Sequence, residues 1–352
     1  MQEETYLLTA YSKAAGCGCK IAPAVLQEIL STDQKLIEAP ELLVGYSSND
    51  DAAVYRLNDE ECLISTTDFF APVVDDAFDF GRIAAANAIS DIYAMGGKPI
   101  LALAILGWPI DQLPASLAKT VMEGARQICK EAGIPLAGGH SIDAKEPFFG
   151  LSVNGKVAQA RLKKNNAAAA GDLLFLTKPL GVGILTTAEK RKQLLPEHRG
   201  IAVRQMVELN RIGELLSNLP GVHAMTDITG FGLLGHLIEM AEGSGLSAKI
   251  YYTSVPVLEP AKYYLTQRII PDATYRNWNF YQPKVRFESG VNVLEAFQLL
   301  PDPQTNGGIL FSVEPTFLKT VQEILQEQNL TTHIHPIGEM VSKESAAVVV
   351  LP

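Results

Sequence analysis

Residues 16–20 read Gly-Cys-Gly-Cys-Lys, which places two thiols and an amine in one short glycine-rich stretch. Glycine lets a backbone approach a ligand closely, and a neighbouring lysine favours the nucleophilic thiolate. The pattern therefore predicts nucleophilic or soft-atom chemistry at Cys17, with a positive charge from Lys20. Two alternatives stay open: a flexible arm whose cysteines have no chemical role, and a metal pair, although no second Cys/His pair with ligand spacing accompanies it.

Aspartates stand at the ends of apolar segments along the chain. Asp50 and Asp51 precede one such segment, Asp68 and Asp227 follow others, and Asp91 interrupts an apolar helix. Capping or turn formation explains each terminal aspartate taken singly. Asp91 is different, because a carboxylate inside a buried helix needs a partner cation. If these side chains converge, their oxygens form a Mg²⁺ site of the kind that binds polyphosphates.

Glycine-rich segments beside predicted strand or helix starts could bind an anion through free backbone N–H groups, although tight turns explain each equally well. They are residues 137–141, 181–183, 229–232 and 305–308. His140 is interpreted as a ligand contact, and His236, inside a predicted helix, as a packed side chain. The sequence has no G-x-x-x-x-G-K-[ST] and no G-x-G-x-x-G unit, so metals and carboxylates would have to hold a nucleotide.

The composition is that of a folded, acidic protein. With 352 residues, 47% hydrophobic and 19% charged, wholesale disorder is excluded and about two domains are expected. A net charge of −10 disfavours nucleic acid binding as the main role. No segment is long enough to span a membrane and residues 1–6 lack a secretory signal, so we expect a cytoplasmic protein with reduced thiols. Cys62 and Cys129 are predicted to fill the core.

Hydrophobic periodicity and turn residues predict the elements of an N-terminal domain over residues 1–160. Asn87 and Asp91 share one face of its long helix, since they are four residues apart. The predicted elements are a mobile arm with little to bury over 5–20, a helix over 23–31, strands over 42–44, 52–57 and 62–66, a long helix with Asp79 as N-cap that ends at Gly96-Gly97, a buried strand over 100–106, a helix over 113–132 and a strand over 148–158.

A stretch of low hydrophobicity over 161–171 is the predicted boundary to a C-terminal domain over 161–352. This domain is also expected to be α+β, and residues 256–290 carry no clear pattern. Its predicted elements are a strand over 173–176, a helix after Gly183, a helix over 201–217, a strand over 222–226, a helix over 233–241, a strand over 309–313, a helix over 315–328, a strand over 334–339 and a last segment over 346–351.

Taken in order, these motifs resemble the selenophosphate synthetase (selenide, water dikinase) family, of the superfamily that includes aminoimidazole ribonucleotide synthetase. The Gly-Cys-Gly-Cys-Lys arm is the most specific feature, because superfamily relatives share the aspartates and glycines but lack the arm. Asn306 stands where the family usually has Ser, and residues 47–49 depart from the family pattern. The matching segments are 8–20, 50–55, 66–70, 79–97, 137–142, 177–181, 225–236 and 302–308.

The resemblance implies synthesis of selenophosphate from selenide, ATP and water, with release of AMP and phosphate, dependence on Mg²⁺ and stimulation by K⁺. Cys17 matches the catalytic cysteine position and Lys20 the essential lysine. The positions that match metal ligands are Asp51, Asp91 and Asp227. The positions that match the ATP site are Lys20, Ser48, Asn49, Asp50, Asp68, Asp91, Gly139, His140 and Ser141.

The resemblance also implies the two-domain α+β fold of aminoimidazole ribonucleotide synthetase, with N-terminal domains that pair into a dimer-wide sheet. Gly139, His140 and Ser141 would then reach the nucleotide across the interface of a homodimer, and a selenium-delivery protein is a candidate partner. Two other functions stay open. A superfamily kinase or ligase for another small metabolite would not need the cysteine arm, and a redox or metal-binding module built on Cys17 and Cys19 would consume no ATP.

Overall fold

The structure is a computed structural model that describes residues 6–12, 16, 20–21, 23–31, 39–45 and 50–352. Within these ranges the chain forms two β-sheets with helices packed against them, which confirms the predicted α+β class. One contiguous hydrophobic core runs through both halves, and a smaller core lies around Phe175 and Phe311 in the C-terminal half. No helix in the described ranges combines the length and the apolar character needed to cross a bilayer.

The first sheet, over the described residues of the N-terminal half, has six strands in the order β1-β2-β3-β6-β4-β5. Neighbours are antiparallel except β4 and β5, which are parallel. Its strands are β1 (Leu42–Val44), β2 (Ala53–Arg56), β3 (Glu61–Phe70), β4 (Lys98–Trp108), β5 (Leu136–Asp143) and β6 (Phe148–Ala158). The helices of this half are α1 (Pro23–Leu30), α2 (Ala77–Ala94) and α3 (Ala115–Ala132).

Helix α2 lies between this sheet and the C-terminal half, and nearly all of it is buried. The predicted N-cap at Asp79 is wrong: the side chain of Asp76 caps the helix by accepting the backbone N–H of Asp79. Helix α3 can approach closely because a Cβ on Gly81 would lie 1.9 Å from the carbonyl oxygen of Val121. Since α2 is enclosed on several sides, each polar side chain on it needs a specific partner.

The second sheet has seven strands in the described part of the C-terminal half, in the order β10-β13-β9-β12-β7-β11-β8. Its strands are β7 (Leu173–Leu176), β8 (Val222–Asp227), β9 (Ser247–Tyr251), β10 (Val285–Phe287), β11 (Ile309–Val313), β12 (Gly338–Val341) and β13 (Val348–Leu351). The helices of this half are α4 (Val182–Lys190), α5 (Ile201–Met206), α6 (Ile212–Leu216), α7 (Gly232–Gly243), α8 (Glu259–Thr266), α9 (Asp272–Tyr281), α10 (Val293–Leu299) and α11 (Leu318–Glu327).

Tertiary contacts explain where the predicted elements and the structure differ. The helix predicted over 201–217 is two helices, α5 and α6, because the carbonyls of Met206 and Glu208 accept hydrogen bonds from the side chain of Asn306 instead of from helical N–H groups. The strand predicted over 334–339 begins only at Gly338, since a 3₁₀ turn precedes it. Residues 256–290 contain α8, α9 and β10.

The described parts of the segment over 5–20 are packed, so the prediction of an arm with little to bury is wrong there. Leu8–Tyr11 form a 3₁₀ turn in which Leu8 is fully buried. Both the backbone N–H and the hydroxyl of Thr9 donate to Asp75 Oδ1, at 2.9 and 2.7 Å. The backbone N–H of Gly16 donates to the carbonyl of Ala71 at 3.0 Å. These bonds fix the start of the segment to the N-terminal half.

The connection between the two sheets is hydrogen-bonded to both halves. The ammonium group of buried Lys163 donates to the carbonyls of Leu219 and Val222, at 3.1 and 2.6 Å. Lys164 Nζ donates to the carbonyl of Leu43 at 3.3 Å, and the backbone N–H of Asn165 donates to Asp50 Oδ1 at 3.3 Å. The connection is therefore part of the structure that positions Asp50.

Candidate active site

Five aspartates from both halves form an acidic centre where α2 meets the end of β8. They are Asp50 and Asp51 before β2, Asp68 in β3, Asp91 in α2 and Asp227 at the end of β8. Asp51 interacts electrostatically with Asp50, Asp91 and Asp227, and Asp91 with Asp68 and Asp227. The predicted convergence of these side chains is what the structure shows. Asp68 lies inside β3 and not after a strand, because β3 continues to Phe70.

Burial and mutual repulsion disfavour the charged form of these carboxylates. Burial raises the pKa of Asp50 and of Asp227 to about 6. Burial first, and then repulsion from neighbouring aspartates, raise the pKa of Asp51 and Asp91 well above the ordinary value. Because like charges in a poorly solvated site repel strongly, the centre requires positive charge to be fully ionised at neutral pH.

Hydroxyl groups orient two of the carboxylates and leave other oxygens unpaired. Thr226 Oγ1 donates to Asp51 Oδ1 at 2.8 Å, and Thr66 Oγ1 donates to Asp91 Oδ2 at 2.5 Å. By contrast, the buried Oδ2 atoms of Asp50, Asp51 and Asp227 have no hydrogen-bond partner among the described residues. Buried oxygens of this kind are costly unless a cation or a donor meets them.

These unpaired oxygens fit Mg²⁺ that arrives together with a polyphosphate. In the described ranges, no group of three or more His, Cys, Asp or Glu side chains is arranged to hold a metal ion. Mg²⁺, however, is commonly bound by one or two carboxylates, with water and substrate phosphates as its other ligands. The donor set of the acidic centre therefore suits a metal–nucleotide complex and not a closed all-protein metal site.

Lys20 brings a positive charge to the acidic centre. Its Nζ lies 3.4 Å from Thr229 Oγ1 and 5.6 Å from the centroid of the Phe231 ring. The positive charge lowers the pKa of Asp68, Asp91 and Asp227, which offsets part of the effect of burial.

His236 is packed behind Thr229, in agreement with its interpretation as a structural residue. The backbone N–H of Thr229 donates to His236 Nε2 at 3.2 Å. Burial in α7, and then the charge of Lys20, lower the pKa of His236 to about 3. The imidazole is therefore neutral at physiological pH and supports Thr229, which in turn contacts Lys20.

Asn87 ties the acidic centre to the loop that contains Asn306. Its Nδ2 donates to Asp68 Oδ2, and its Oδ1 accepts the backbone N–H of Asn306 at 2.7 Å. Asn306 has a φ of +49°, a conformation that Asn adopts more readily than most residues. Buried Lys178 donates to the carbonyls of Asn306 and Glu208, at 3.0 and 2.7 Å. The spacing from Asp91 marks Asn87 in the sequence, whereas the only sequence signal for Lys178 is that it lies in the family-matching segment 177–181.

Three further predicted site residues lie away from the acidic centre within one chain. Gly139, His140 and Ser141 lie on the exposed edge strand β5, and strands β4 and β6 separate it from β3, which carries Asp68. Gly139 permits this pairing, because a Cβ there would lie 2.1 Å from the carbonyl oxygen of Ala104. The predicted site residues Cys17, Ser48 and Asn49, and also Cys19, lie outside the described residues. Cys62 and Cys129 are buried, as predicted.

Comparison with known proteins identifies the family. Residues 49–157 match the model for the AIR synthase related protein N-terminal domain, and residues 169–351 match the model for the C-terminal domain. The chain is 54% identical over 338 residues to "Selenide, water dikinase" of Yersinia pseudotuberculosis, covering 96% of this chain and 95% of the relative. It is also 54% identical over 348 residues to the protein of that name from Pseudomonas aeruginosa, covering 99% of each.

Solved structures show the same fold at low sequence identity. The thiamine-monophosphate kinase of Stenotrophomonas maltophilia aligns with a TM-score of 0.64 and 19% identity, covering 89% of this chain and 92% of that one. Hydrogenase maturation protein HypE in complex with ATP aligns with a TM-score of 0.63 and 18% identity, covering 98% and 94%. The two matching domain models and the close full-length relatives together show that the chain belongs to the selenide, water dikinase family of AIR synthase related proteins.

Proposed function

We propose that this protein catalyses the ATP-dependent synthesis of selenophosphate from selenide and water, with AMP and phosphate as the other products, in the cytoplasm. The observation that carries the proposal is the buried acidic centre between the two halves, with unpaired carboxylate oxygens and Lys20 beside it. The name shared by its close relatives supports selenide and water as the substrates.

Asp51, Asp91 and Asp227 would hold Mg²⁺, and Lys20, Ser48, Asn49, Asp50, Asp68 and Asp91 would contribute to the ATP site. When bound, Mg²⁺ neutralises phosphate charge and orients the phosphates for transfer. The chain's own residues fix the acceptor oxygens: the hydroxyls of Thr226 and Thr66 hold Asp51 and Asp91 in place. Stimulation by K⁺ is proposed on the family resemblance alone.

Lys20 and Cys17 are the proposed catalytic residues. In phosphoryl transfer a protein acts mainly by positioning groups and by stabilising developing negative charge. Lys20 is suited to this role because its ammonium group lies beside Thr229 and close enough to the aspartates to lower their pKa. The proposed role of Cys17 in handling selenium rests on its match to the family motif.

A homodimer is proposed through the outer face and edge of the first sheet. Strand β4, predicted to be buried, is buried on one face only, and Leu103 on its other face is 39% exposed. Phe69 on β3 and Ile142 on β5 are also large exposed apolar residues, at 49% and 51%. Apolar residues grouped beside an open strand edge are typical of a protein–protein interface. Such a dimer would bring Gly139, His140 and Ser141 to a partner.

The dimer is tested with the double variant Phe69→Asp/Leu103→Asp. We expect light scattering to give twice the chain mass for the parent protein and a single-chain mass for the variant. The matched control is Ile110→Asp, which changes an apolar residue that is 64% exposed but lies outside the sheet. A parent protein of single-chain mass would contradict the proposal.

The reaction is tested by phosphorus NMR of ATP incubated anaerobically with the protein, Mg²⁺ and selenide. We expect a phosphorus signal with selenium coupling, together with AMP and phosphate. ADP as the final product would favour the alternative kinase for another metabolite. Absence of any ATP turnover would contradict a phosphotransferase altogether. A control without selenide measures background hydrolysis of ATP.

A further inference from the structure

A cleft of about 300 Å³, separate from the acidic centre, lies between the two halves. Its buried lining includes Val73 from the N-terminal half and Gly183, Pro303 and Thr305 from the C-terminal half. Its volume is at the lower end of the range for small-molecule sites, about 300–1,000 Å³. The cleft is therefore large enough for a small ligand with its water molecules.

The charged residues at the cleft are mainly basic, although the protein as a whole is acidic. Lys190 and Arg191 come from the C-terminal end of α4 and Arg276 from α9, whereas Asp272 is the acidic residue of the lining. Lys190 Nζ donates to the carbonyl of Ser12 at 3.4 Å, and Arg191 Nη2 to the carbonyl of Ile270 at 3.2 Å. Because these carbonyl oxygens carry no formal charge, both hydrogen bonds leave the positive charges available to attract an anion.

Two described residues of the glycine-rich segment connect this cleft with the acidic centre. A Cβ on Gly16 would lie 2.6 Å from Thr305 Oγ1 and 2.9 Å from Val73 Cγ2, so Gly16 sits against two residues of the cleft. Lys20, four residues later, contacts Thr229 at the acidic centre. The residue next to Thr305, Asn306, bonds to Asn87, the partner of Asp68. The two sites are therefore adjacent, and both contact the same short segment.

We propose that this cleft binds a small inorganic anion of the reaction, a chemistry shared by hydroselenide and orthophosphate. The inference rests on the proposed function, because only that reaction supplies such an anion beside ATP. The acidic centre binds a polyphosphate through divalent cations and repels any anion that lacks them. A second anion needs positively charged side chains nearby, and Lys190 and Arg191 supply them, with Arg276 on the same lining.

Binding of inorganic phosphate, without nucleotide, Mg²⁺ or selenide, tests the site directly by calorimetry. We compare the parent protein with the double variant Arg191→Gln/Arg276→Gln and with the control Arg204→Gln, an exposed arginine outside the cleft. We expect the double variant to raise the dissociation constant about tenfold or more, because hydrogen bonds to charged groups contribute strongly to affinity. Equal affinity in all three folded proteins, or no binding to the parent protein, would overturn the proposal.

The charge-preserving variant Arg191→Lys/Arg276→Lys separates charge from packing. It should keep most of the phosphate affinity, and circular dichroism should show that every variant is folded. Loss of affinity equal to that of the glutamine variant, in a folded protein, would show that positive charge is not what binds phosphate and would overturn the proposal.

Steady-state kinetics then distinguish the two sources of the anion. If the cleft binds hydroselenide, the glutamine variant should raise KM for selenide about tenfold and leave KM for ATP unchanged. If it binds product phosphate, KM for selenide should stay the same and inhibition by phosphate should weaken. Either result supports the site. Should the parent protein make no selenophosphate, the proposed function would fail, whereas the phosphate titration would still report on the cleft.

Discussion

The acidic centre and the basic cleft are neighbouring sites with opposite charge and opposite construction. The acidic centre is built from buried carboxylates on α2, β3 and β8, which hydroxyl and amide groups hold in place. The cleft has a buried lining and carries its charge on the exposed residues Lys190, Arg191 and Arg276. A buried carboxylate stays charged only with a cation beside it, whereas an exposed arginine is charged without help.

This difference suggests that the two sites respond to different conditions. The acidic centre should depend on divalent metal and on pH, and the cleft on ionic strength. Separate sites of opposite charge would also allow two anions of the reaction to bind side by side without direct repulsion. The following variants test this contrast in order of expected effect.

The largest effect is expected for Asp227→Asn at the acidic centre. The change removes a negative charge and an unpaired buried oxygen, so activity should fall on the order of 100-fold or more. Because Asp227 has a raised pKa, the metal-free variant should melt at a higher temperature than the parent. Initial rates and thermal melting with and without Mg²⁺ measure both effects. Asp111→Asn, at an exposed loop position, is the control, and full activity of Asp227→Asn would disprove the metal assignment.

The second effect is expected for Gly16→Ala, at the boundary of the two sites. The new Cβ would clash with Thr305 and Val73, and the left-handed φ of +53° adds strain. We expect a loss of selenide-dependent activity of about tenfold, with Mg²⁺–ATP affinity unchanged. Gly133→Ala is matched in backbone conformation, with a φ of +76°, but has no atom within 4 Å of the added Cβ. Equal activity losses in both variants would show that strain alone is responsible.

A third, smaller effect is expected when pH is lowered from 7.5 to 5.5 without metal. The carboxyl groups of Asp50 and Asp227 have a pKa of about 6 in the fold, above the unfolded value of about 3.9. The folded protein therefore binds more protons than the unfolded one in this range, and their contribution to the free energy of unfolding rises as pH falls.

Thermal melting of the parent protein and of Asp227→Asn measures this contribution as a difference. The increase in melting temperature on acidification should be smaller in the variant. The increase in melting temperature caused by Mg²⁺ should be larger at pH 7.5 than at 5.5. If the cleft binds a small anion as proposed, its affinity for sulfate, used here as a probe of constant charge, should change little, because arginine stays charged. Identical pH profiles of the two proteins would contradict the raised pKa of Asp227.

The smallest effect is expected for Asn306→Ser, which restores the residue usual in the family. The change removes the hydrogen bonds from Nδ2 to the carbonyls of Met206 and Glu208, at 2.6 and 2.8 Å. We expect a loss of about 1–2 kcal/mol in the free energy of unfolding, measured in urea. The control is Asn329→Ser, an exposed asparagine with a similar φ of +61°. If the free energy of unfolding falls no more than in the control, these hydrogen bonds contribute nothing to stability.

The sequence predicts those site residues whose type is unexpected for the segment in which they stand. Asp91 interrupts an apolar helix and Lys20 follows two glycine-flanked cysteines, and the structure places both at the acidic centre. Helices α2 and α3 and strand β6 also agree closely with the bounds that their periodicity predicts, whereas β3 and β4 extend beyond the predicted 62–66 and 100–106. Local sequence carries this information because burial on one face repeats every two or 3.6 residues.

What the sequence could not predict depends on contacts between distant segments. Strand β5 contains two adjacent glycines, a pattern typical of a loop. It forms a strand because it pairs in parallel with β4. Lys178 looks like an ordinary lysine after a strand, and its burial follows only from the path of residues 206–208 and 306. No local pattern predicts the cleft, because its lining comes from segments more than 200 residues apart.

The hydrogen bonds made by Lys163, Lys164 and Asn165 have a consequence for how the molecule unfolds. They join the connection between the two sheets to residues 43, 50, 219 and 222. Neither half can therefore detach without exposing buried polar groups. Melting should therefore proceed in one cooperative transition, in spite of the two sheets. The same bonds make this connection a poor hinge. Any conformational change during turnover must therefore involve other segments of the chain.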